Sequence, residues 1–397
     1  MAHLNRYTTF FLVLLVFHTT VLLYLANDFS ISYKEAVIYF YGDISLLTII
    51  TNISTYIFGQ NDFALRIPFI AFYIGSAILL YLLTKDFFKT EIQRVISIWI
   101  FMMLPGVNSA ALLVNESIIV VFLTLLYLYI YKLQNRHCYF LLIVALFVDN
   151  SFAILYLGLF FYSLMKKNNI LLVVSLILFG ISMSYFELNI SGKPKSYLLD
   201  TFGIYASIFS PMLFLYFFYA IYRIGIKKEK DIIWYISATA LGLSLIFSLR
   251  QNIRIEDFAP FVVIAIPLMV KLFSQSLRIR LKEFRKNHYQ MLKLTLAILI
   301  LSYVTLVFNK YLYLLLDNPQ KHFAYKYHIA KELASQLEDN KIEAITTIDK
   351  SLALRLAYYG IKQSNKNYLT THKVANYDKQ IDIIYANKVI KKYYIYH

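Results

Sequence analysis

The sequence predicts a polytopic α-helical membrane protein. It should have about eleven transmembrane helices, amphipathic juxtamembrane helices in the first outer loop, and a small C-terminal extracytoplasmic α/β domain. Three observations carry this. The 397 residues are 59% hydrophobic and only 16% charged, whereas soluble domains are nearer half apolar and about a quarter charged. Between Met1 and Arg285 one apolar stretch follows another, several long enough for a bilayer core of about 30 Å. Lys and Arg fall almost entirely in every second gap between these stretches, which is the asymmetry that sets membrane orientation.

Hydropathy places the spans near residues 8–26, 66–84, 94–112, 116–132, 138–149, 151–165, 170–188, 203–222, 232–249, 258–273 and 291–313. The first follows His3 and Arg6 and could pass for a signal peptide. Tyr24-Leu25-Ala26 puts a ring where cleavage needs a small residue, so it reads as an uncleaved span. The fifth and sixth are short, and Asp149-Asn150 between them reads as a tight hairpin. Cys138 is the only cysteine. That excludes an intramolecular disulfide and a Cys-based metal site.

Orientation follows from the gaps. With the N-terminus in the cytoplasm, the inner gaps hold Lys85, Lys89 and Arg94, then Lys132 and Arg136, then Lys166 and Lys167. Arg223, Lys227, Lys228 and Lys230 follow, and a basic run from Lys271 to Lys293 closes the set. The outer gaps hold Lys34, Arg66, Lys193, Lys195, Arg250 and Arg254. The net charge of +16 is thereby explained by loop topology, not by nucleic acid. An odd number of spans leaves the tail outside. Residues 1–313 form the transmembrane domain, with the first outer loop at 27–65, and 314–397 form the extracytoplasmic domain. The protein belongs in a plasma (inner) membrane, among membrane lipids.

The tail has mixed, soluble composition. His322 to Leu337 and Ser351 to Tyr359 read as helices, the second stopped by Gly360. Ile342 to Ile348 and Ile381 to Tyr385 read as strands.

Functional candidates lie on the outer side. The 27–65 loop is long for a connection, and long loops are usually functional or disordered. Its composition is not disordered: Glu35 to Tyr41 and Ile44 to Phe58 read as amphipathic helices suited to the membrane surface. It carries Asp28, Glu35, Asp43 and Asp62, with Lys34 beside Glu35. Asp62 reads as a solvated helix end. Glu116, in Asn115-Glu116-Ser117, begins a span in the next outer gap. Partial burial of such an acid raises its pKa, which suits a general base. Arg250 and Arg254 stand outside against the charge rule. They fit either a phosphate clamp or ion pairs with Glu256 and Asp257. Lys193 and Lys195 could also hold phosphate. The eight histidines are scattered, so no metal or cofactor site is expected.

Phe58-Gly59-Gln60-Asn61-Asp62-Phe63-Ala64-Leu65-Arg66-Ile67-Pro68 resembles the run that opens the second span in the protein mannosyltransferase and aminoarabinose (lipid A) transferase family, membrane glycosyltransferases of the GT-C type. Tyr33-Lys34-Glu35-Ala36 takes the place of that family's Asp-Glu-Ala element, and Gly42 to Leu46 that of its His-Pro-Pro-Leu element. Leu104-Pro105 with Asn115-Glu116 resembles the next outer loop, and Arg254 to Pro260 the late basic segment. The resemblance implies transfer of a sugar from a polyprenyl-phosphate donor to a lipid, glycan or protein acceptor on the outer face. An acid of the first loop would be the base, and outer Arg and Lys residues would hold the leaving phosphate. Lys34 stands where the family has its first acid. Glu35 or Asp43 would then supply the base, or the protein is an inactive partner. A transporter or flippase for a lipid-linked or anionic substrate is the remaining alternative. Such proteins tend to show repeats and mid-membrane charges, and neither is evident.

Overall fold

A computed structural model describes residues 6–42, 45–185, 196–227, 229–374 and 377–396. Among the described residues, five helical segments are long and apolar enough to cross a membrane. They are α1 (Arg6–Asp28), α4 (Asp62–Leu83), α7 (Ser117–Gln134), the run of α14 (Ala259–Val263) and α15 (Ile266–Ile279), and α16 (Lys282–Val307). Three bent pairs raise the number to as many as eight. These are α2 (Tyr33–Tyr41) with α3 (Leu46–Phe58), α5 (Glu91–Met103) with α6 (Pro105–Leu112), and α11 (Leu198–Phe209) with α12 (Pro211–Lys227).

The bends have local causes. Pro105 opens α6, and the residue before a proline is pushed out of the helical region; α5 and α6 meet at 57°. Ser210, at φ 77°, precedes Pro211, and α11 and α12 diverge by 106°. The expected span 203–222 is therefore two helices. α8 (Tyr139–Leu146) has eight residues, about 12 Å at 1.5 Å per residue, against a core of about 30 Å. α9 (Phe152–Lys166), α10 (Asn169–Tyr185) and α13 (Ile232–Ser248) are short apolar helices. α9 and α13 pack closely because Gly158 has no side chain. A Cβ there would stand 2.9 Å from the Ile236 Cα.

The chain divides into two compact units. The first comprises residues 1–19, 69–111 and 115–303, and holds most of the apolar helices. The second comprises 20–68, 112–114 and 304–397, so the first outer loop and the tail belong to one unit. In that unit α2 starts with a capping box. Glu35 N donates to Ser32 Oγ at 3.3 Å, and Ser32 N donates to Glu35 Oε2 at 2.8 Å, satisfying two amides that a helix start leaves unpaired. Helix α3 buries Thr48, Thr51, Ser54 and Thr55 and exposes Ile49, Ile53, Tyr56 and Ile57. Thr51 and Thr55 return their hydroxyls to helix carbonyls. The apolar face is thus the outward one, as an interfacial helix requires.

The tail carries α17 (Ala330–Asp339), α18 (Lys350–Tyr358) and four strands: β1 (Ala344–Thr347), β2 (Lys362–Thr370), β3 (Lys379–Tyr385) and β4 (Lys388–Tyr396). The sheet order is β1-β2-β4-β3. β1 and β2 are parallel, joined through α18, and β4 is antiparallel to both its neighbours. Leu333, Leu337, Leu352, Leu356, Ile381 and Ile383 are among the residues of its core. Gly360, at φ 90°, ends α18 as expected, in a conformation that favours glycine. The helix expected from His322 begins only at Ala330. Before it lie short 3₁₀ turns at Pro319–Lys321 and Tyr325–Tyr327. They bury the His322 and His328 rings against Tyr313 and aim the Tyr327 carbonyl at Ser30 N, 2.8 Å away.

Candidate functional site

Arg66 organises the second unit. It lies one turn into α4, within an apolar run, and is fully buried. Its Nε donates to Leu112 O at 2.8 Å. Nη1 donates to the carbonyls of Phe29 (2.9 Å), Ala26 (3.1 Å) and Asp62 (3.1 Å). Nη2 donates to Ser30 O at 3.2 Å and Glu35 Oε2 at 3.4 Å. A helix leaves its last carbonyls unpaired. Arg66 takes up the end of α1 at Ala26, the chain just beyond it, and the end of α6 at Leu112. A cation also suits the negative end of a helix dipole.

Two carboxylates balance this charge. Glu35 is buried, and each of its oxygens is engaged. Oε2 takes Ser32 N and Arg66, and Oε1 accepts from Val114 N at 3.1 Å. Asp62 lies one turn before Arg66 at 3.6 Å. Its Oδ1 accepts from the Tyr359 hydroxyl at 2.7 Å, and Lys331 Nζ stands 3.3 Å from Oδ2. Burial and the neighbouring Asp62 carboxylate hold the Tyr359 phenol far above its usual range, so it remains a donor. It also accepts from Ile31 N at 2.8 Å. Tyr358 donates to Asn61 O at 2.9 Å, and Gln60 Nε2 donates to Tyr358 O at 2.7 Å. The end of α18 is thereby bonded to both ends of the first outer loop.

This revises the sequence reading of Asp62 and of Arg66. Asp62, expected as a solvated helix end, is buried, because it pairs with Arg66 inside the protein. Arg66, expected as an outer basic residue within the Phe58–Pro68 run, is the hub. The signal was present: an Asp and an Arg four apart on an apolar helix form a pair, and an arginine inside a span needs a partner. Glu35, a candidate base from the sequence, is buried and held by three donors.

Of the remaining candidates, Glu116, Arg250 and Arg254 belong to the first unit. Glu116 stands immediately before α7 and is half-buried. It lies in the field of Asp149, Glu256 and Asp257. Ser117 Oγ donates to Glu256 O at 3.3 Å. Arg254 is exposed and pairs with Asp257 at 3.3 Å, the ion-pair alternative weighed for it. Arg250 and Lys34 are exposed. Asp43 and Lys193 lie outside the described residues.

Asp257 is shifted chiefly by its burial. Burial pushes its carboxyl up, Arg254 draws it back, and Asp149, Glu256 and Glu116 push it up again, to about 6. The folded protein therefore binds this proton more tightly than the unfolded chain. The resulting stability is fully present below about pH 4 and is lost as pH rises through about 6. Asp257→Asn should escape that loss. Its melting temperature in detergent should match wild type near pH 4 and exceed it above pH 6. Parallel curves for the two proteins would contradict the assignment.

No family model and no curated protein matches the chain. Solved structures do. The crystal structure of ArnT from Cupriavidus metallidurans bound to undecaprenyl phosphate covers 98% of each chain at TM-score 0.53 and 10% sequence identity. The apo structure of the same protein covers 98% of each chain at TM-score 0.52, also with 10% identity. Likeness at this identity is likeness of fold, and it runs through both units. The chain has the fold of ArnT.

Proposed function

We propose that this protein is a membrane glycosyltransferase that moves a sugar from a polyprenyl-phosphate donor to a lipid, glycan or protein acceptor on the outer face of an inner membrane. The observation that carries the reading is the ArnT fold over 98% of the chain, found in a protein bound to undecaprenyl phosphate. In this reading eleven segments within residues 1–313 cross the bilayer. The N-terminus is cytoplasmic and residues 314–397 are extracytoplasmic. Reporter fusions after Lys167 and after Tyr396 test that orientation: only the second should report the outer compartment.

Chemically, a base removes a proton from the acceptor hydroxyl or amine. The freed atom attacks the anomeric carbon, the bond from that carbon to phosphate oxygen breaks, and the polyprenyl phosphate leaves with the electron pair. Glu35, Asp43 and Glu116 are the carboxylates proposed for the proton transfer. Glu35 already accepts from three donors, so it serves best as a positioning residue for the loop. Asp43 and Glu116 are then the preferred bases. Arg254, Arg250, Lys34 and Lys193 are proposed to hold the donor phosphate. For Arg254 this means exchanging Asp257 for the phosphate, which its exposure permits.

Arg254→Ala should weaken undecaprenyl-phosphate binding about tenfold, the loss of a charge-assisted contact. Binding to purified protein in lipid nanodiscs would measure it. Unchanged affinity would move the phosphate to Lys34 or Lys193. Absence of binding by the wild type would remove the donor altogether. One observation favours a second reading, a GT-C-like partner without activity: Lys34 occupies the family's first acidic position while Glu35 is locked to Arg66. Carrier binding without transfer would support that reading.

A further inference from the structure

The second unit contains a cavity of about 300 Å³ that the reading above does not use. Its size is at the lower end of small-molecule sites. It opens beside the last turn of α1, where Tyr24, Asn27 and Asp28 line it, and it is bounded by α17 through Lys331, Glu332 and Ser335. Lys310, His328 and Tyr385 complete the wall, with Tyr327 beside them.

The charges in this wall are already balanced. Lys310 Nζ lies 2.5 Å from Asp28 Oδ1 and 4.7 Å from the centre of the Tyr385 ring. Lys331 pairs with Asp62 and donates to Asn27. Glu332 accepts from Gln336 at 3.0 Å. Each lysine has three donors and each carboxylate about four acceptor positions, so Lys310, Asp28 and Glu332 retain capacity after pairing, whereas Lys331 spends its donors on Asn27 and Asp62. An anion would have to displace Asp28 from Lys310, and a cation would meet both lysines. A neutral ligand rich in hydroxyls meets neither obstacle, because each hydroxyl both donates and accepts.

His328 gives the second, independent sign. It is 1% exposed, its Nδ1 is bonded to the Tyr313 hydroxyl at 2.9 Å, and its Nε2 has no partner among the described residues. Burial first, then His322 and Lys310, lower its pKa to about 3, so the ring is neutral at ordinary pH. A neutral ring offers either a donor or an acceptor at Nε2, according to tautomer. A hydroxyl satisfies both forms. Buried polar groups left unpaired are costly, and a ligand hydroxyl in the cavity that His328 lines would relieve that cost once the ring turns its closed-off Nε2 toward it. The exposed Tyr24 ring adds the apolar face against which a sugar's C–H surface can lie.

We propose that this cavity is a carbohydrate subsite for one uncharged hexose ring, held between the Lys–carboxylate pairs of α1 and α17 and capped by His328. The inference deepens the proposed function, on which its role rests, by giving the acceptor's sugar a place in the tail unit.

The test is saturation-transfer NMR with methyl glucoside on the full-length protein in a detergent without sugar headgroups. Two variants accompany it: Ser335→Phe, which fills the cavity from an exposed position, and Glu332→Gln, which removes one acceptor charge without changing shape. Wild type should transfer saturation to the ring protons, and both variants should weaken binding at least tenfold while keeping the wild-type melting temperature. If Ser335→Phe proves unstable, Glu332→Gln alone decides. Equal signals from the wild type and the stable variant would overturn the proposal. So would competition by inorganic phosphate, which would mark an anion site. Vesicles with and without a glucosyl lipid then separate a lipid-borne sugar from a free one. Undecaprenyl-phosphate binding is measured on the same wild-type sample. Loss of sugar binding alone sinks this inference, and loss of carrier binding alone sinks the transferase reading.

Discussion

Arg66→Ala is expected to leave little folded protein. The guanidinium is fully buried and holds five carbonyls and the Glu35 carboxylate. Its removal strands two buried acids, Glu35 and Asp62, and unpairs the carbonyls at the ends of α1 and α6. Breaking a buried ion pair from one side costs about 3–5 kcal/mol, out of a total stability of about 5–15 kcal/mol. Arg66→Lys should fail nearly as badly, since an ammonium cannot reproduce the planar fork. The triple variant Arg66→Met, Glu35→Gln, Asp62→Asn removes all three charges and should recover much of the folded yield. Size-exclusion profiles and melting temperatures in detergent measure all of this. A monodisperse Arg66→Ala protein melting within a few degrees of wild type would contradict the role given to this residue.

The second large effect concerns turnover. General-base catalysis contributes about 10²–10⁴-fold in rate. Glu116→Gln or Asp43→Asn should cost that much in transfer from a polyprenyl-phosphate sugar while the protein folds normally. Burial above all, with a smaller push from Asp149, Glu256 and Glu116, raises Asp257 to about 6, so Glu116→Gln should lower that value slightly, a shift that NMR titration of Asp257 can follow. Glu35→Gln should behave differently. It breaks the contact with Arg66, and its main effect should be on thermal stability. Full transfer activity in both Glu116→Gln and Asp43→Asn would remove these two as the base.

The membrane helices were legible because each needs a run of apolar residues, and that demand is local. α1, α4, α7, α15 and α16 all fall on segments recognisable from hydropathy. The bend at Ser210 was read through because the Ser210-Pro211 break is one dipeptide inside an otherwise apolar stretch, although the residue before a proline is pushed out of the helical region. In the tail, β2 escaped notice: Lys362–Thr370 is polar and lacks alternation, and its strand form comes from pairing with β1 and β4. The β3–β4 hairpin was hidden likewise. Its turn residues Ala386 and Asn387 both have positive φ, without the Asn-Gly signature of such turns. Of the candidate site, the acids and basic residues could be read as types, but not by their role. Glu35 differs from a free carboxylate only through Val114 N and Arg66, which lie 79 and 31 residues away. Asp62 is buried by Tyr359, 297 residues downstream.

That last separation bears on the order of events during synthesis. Ribosomes add about 5–20 residues per second, so Tyr359, made 297 residues after Asp62, arrives roughly 15–60 s later. Until then the segment from Asn27 to Asp62 has emerged without the hydroxyl that will bond both Ile31 and Asp62. A ribosome stalled before residue 359 would hold a nascent chain whose early acids are still open to protease and chaperone. Emergence of Tyr359, and not insertion of the early helices, is the point at which that stretch is expected to become resistant.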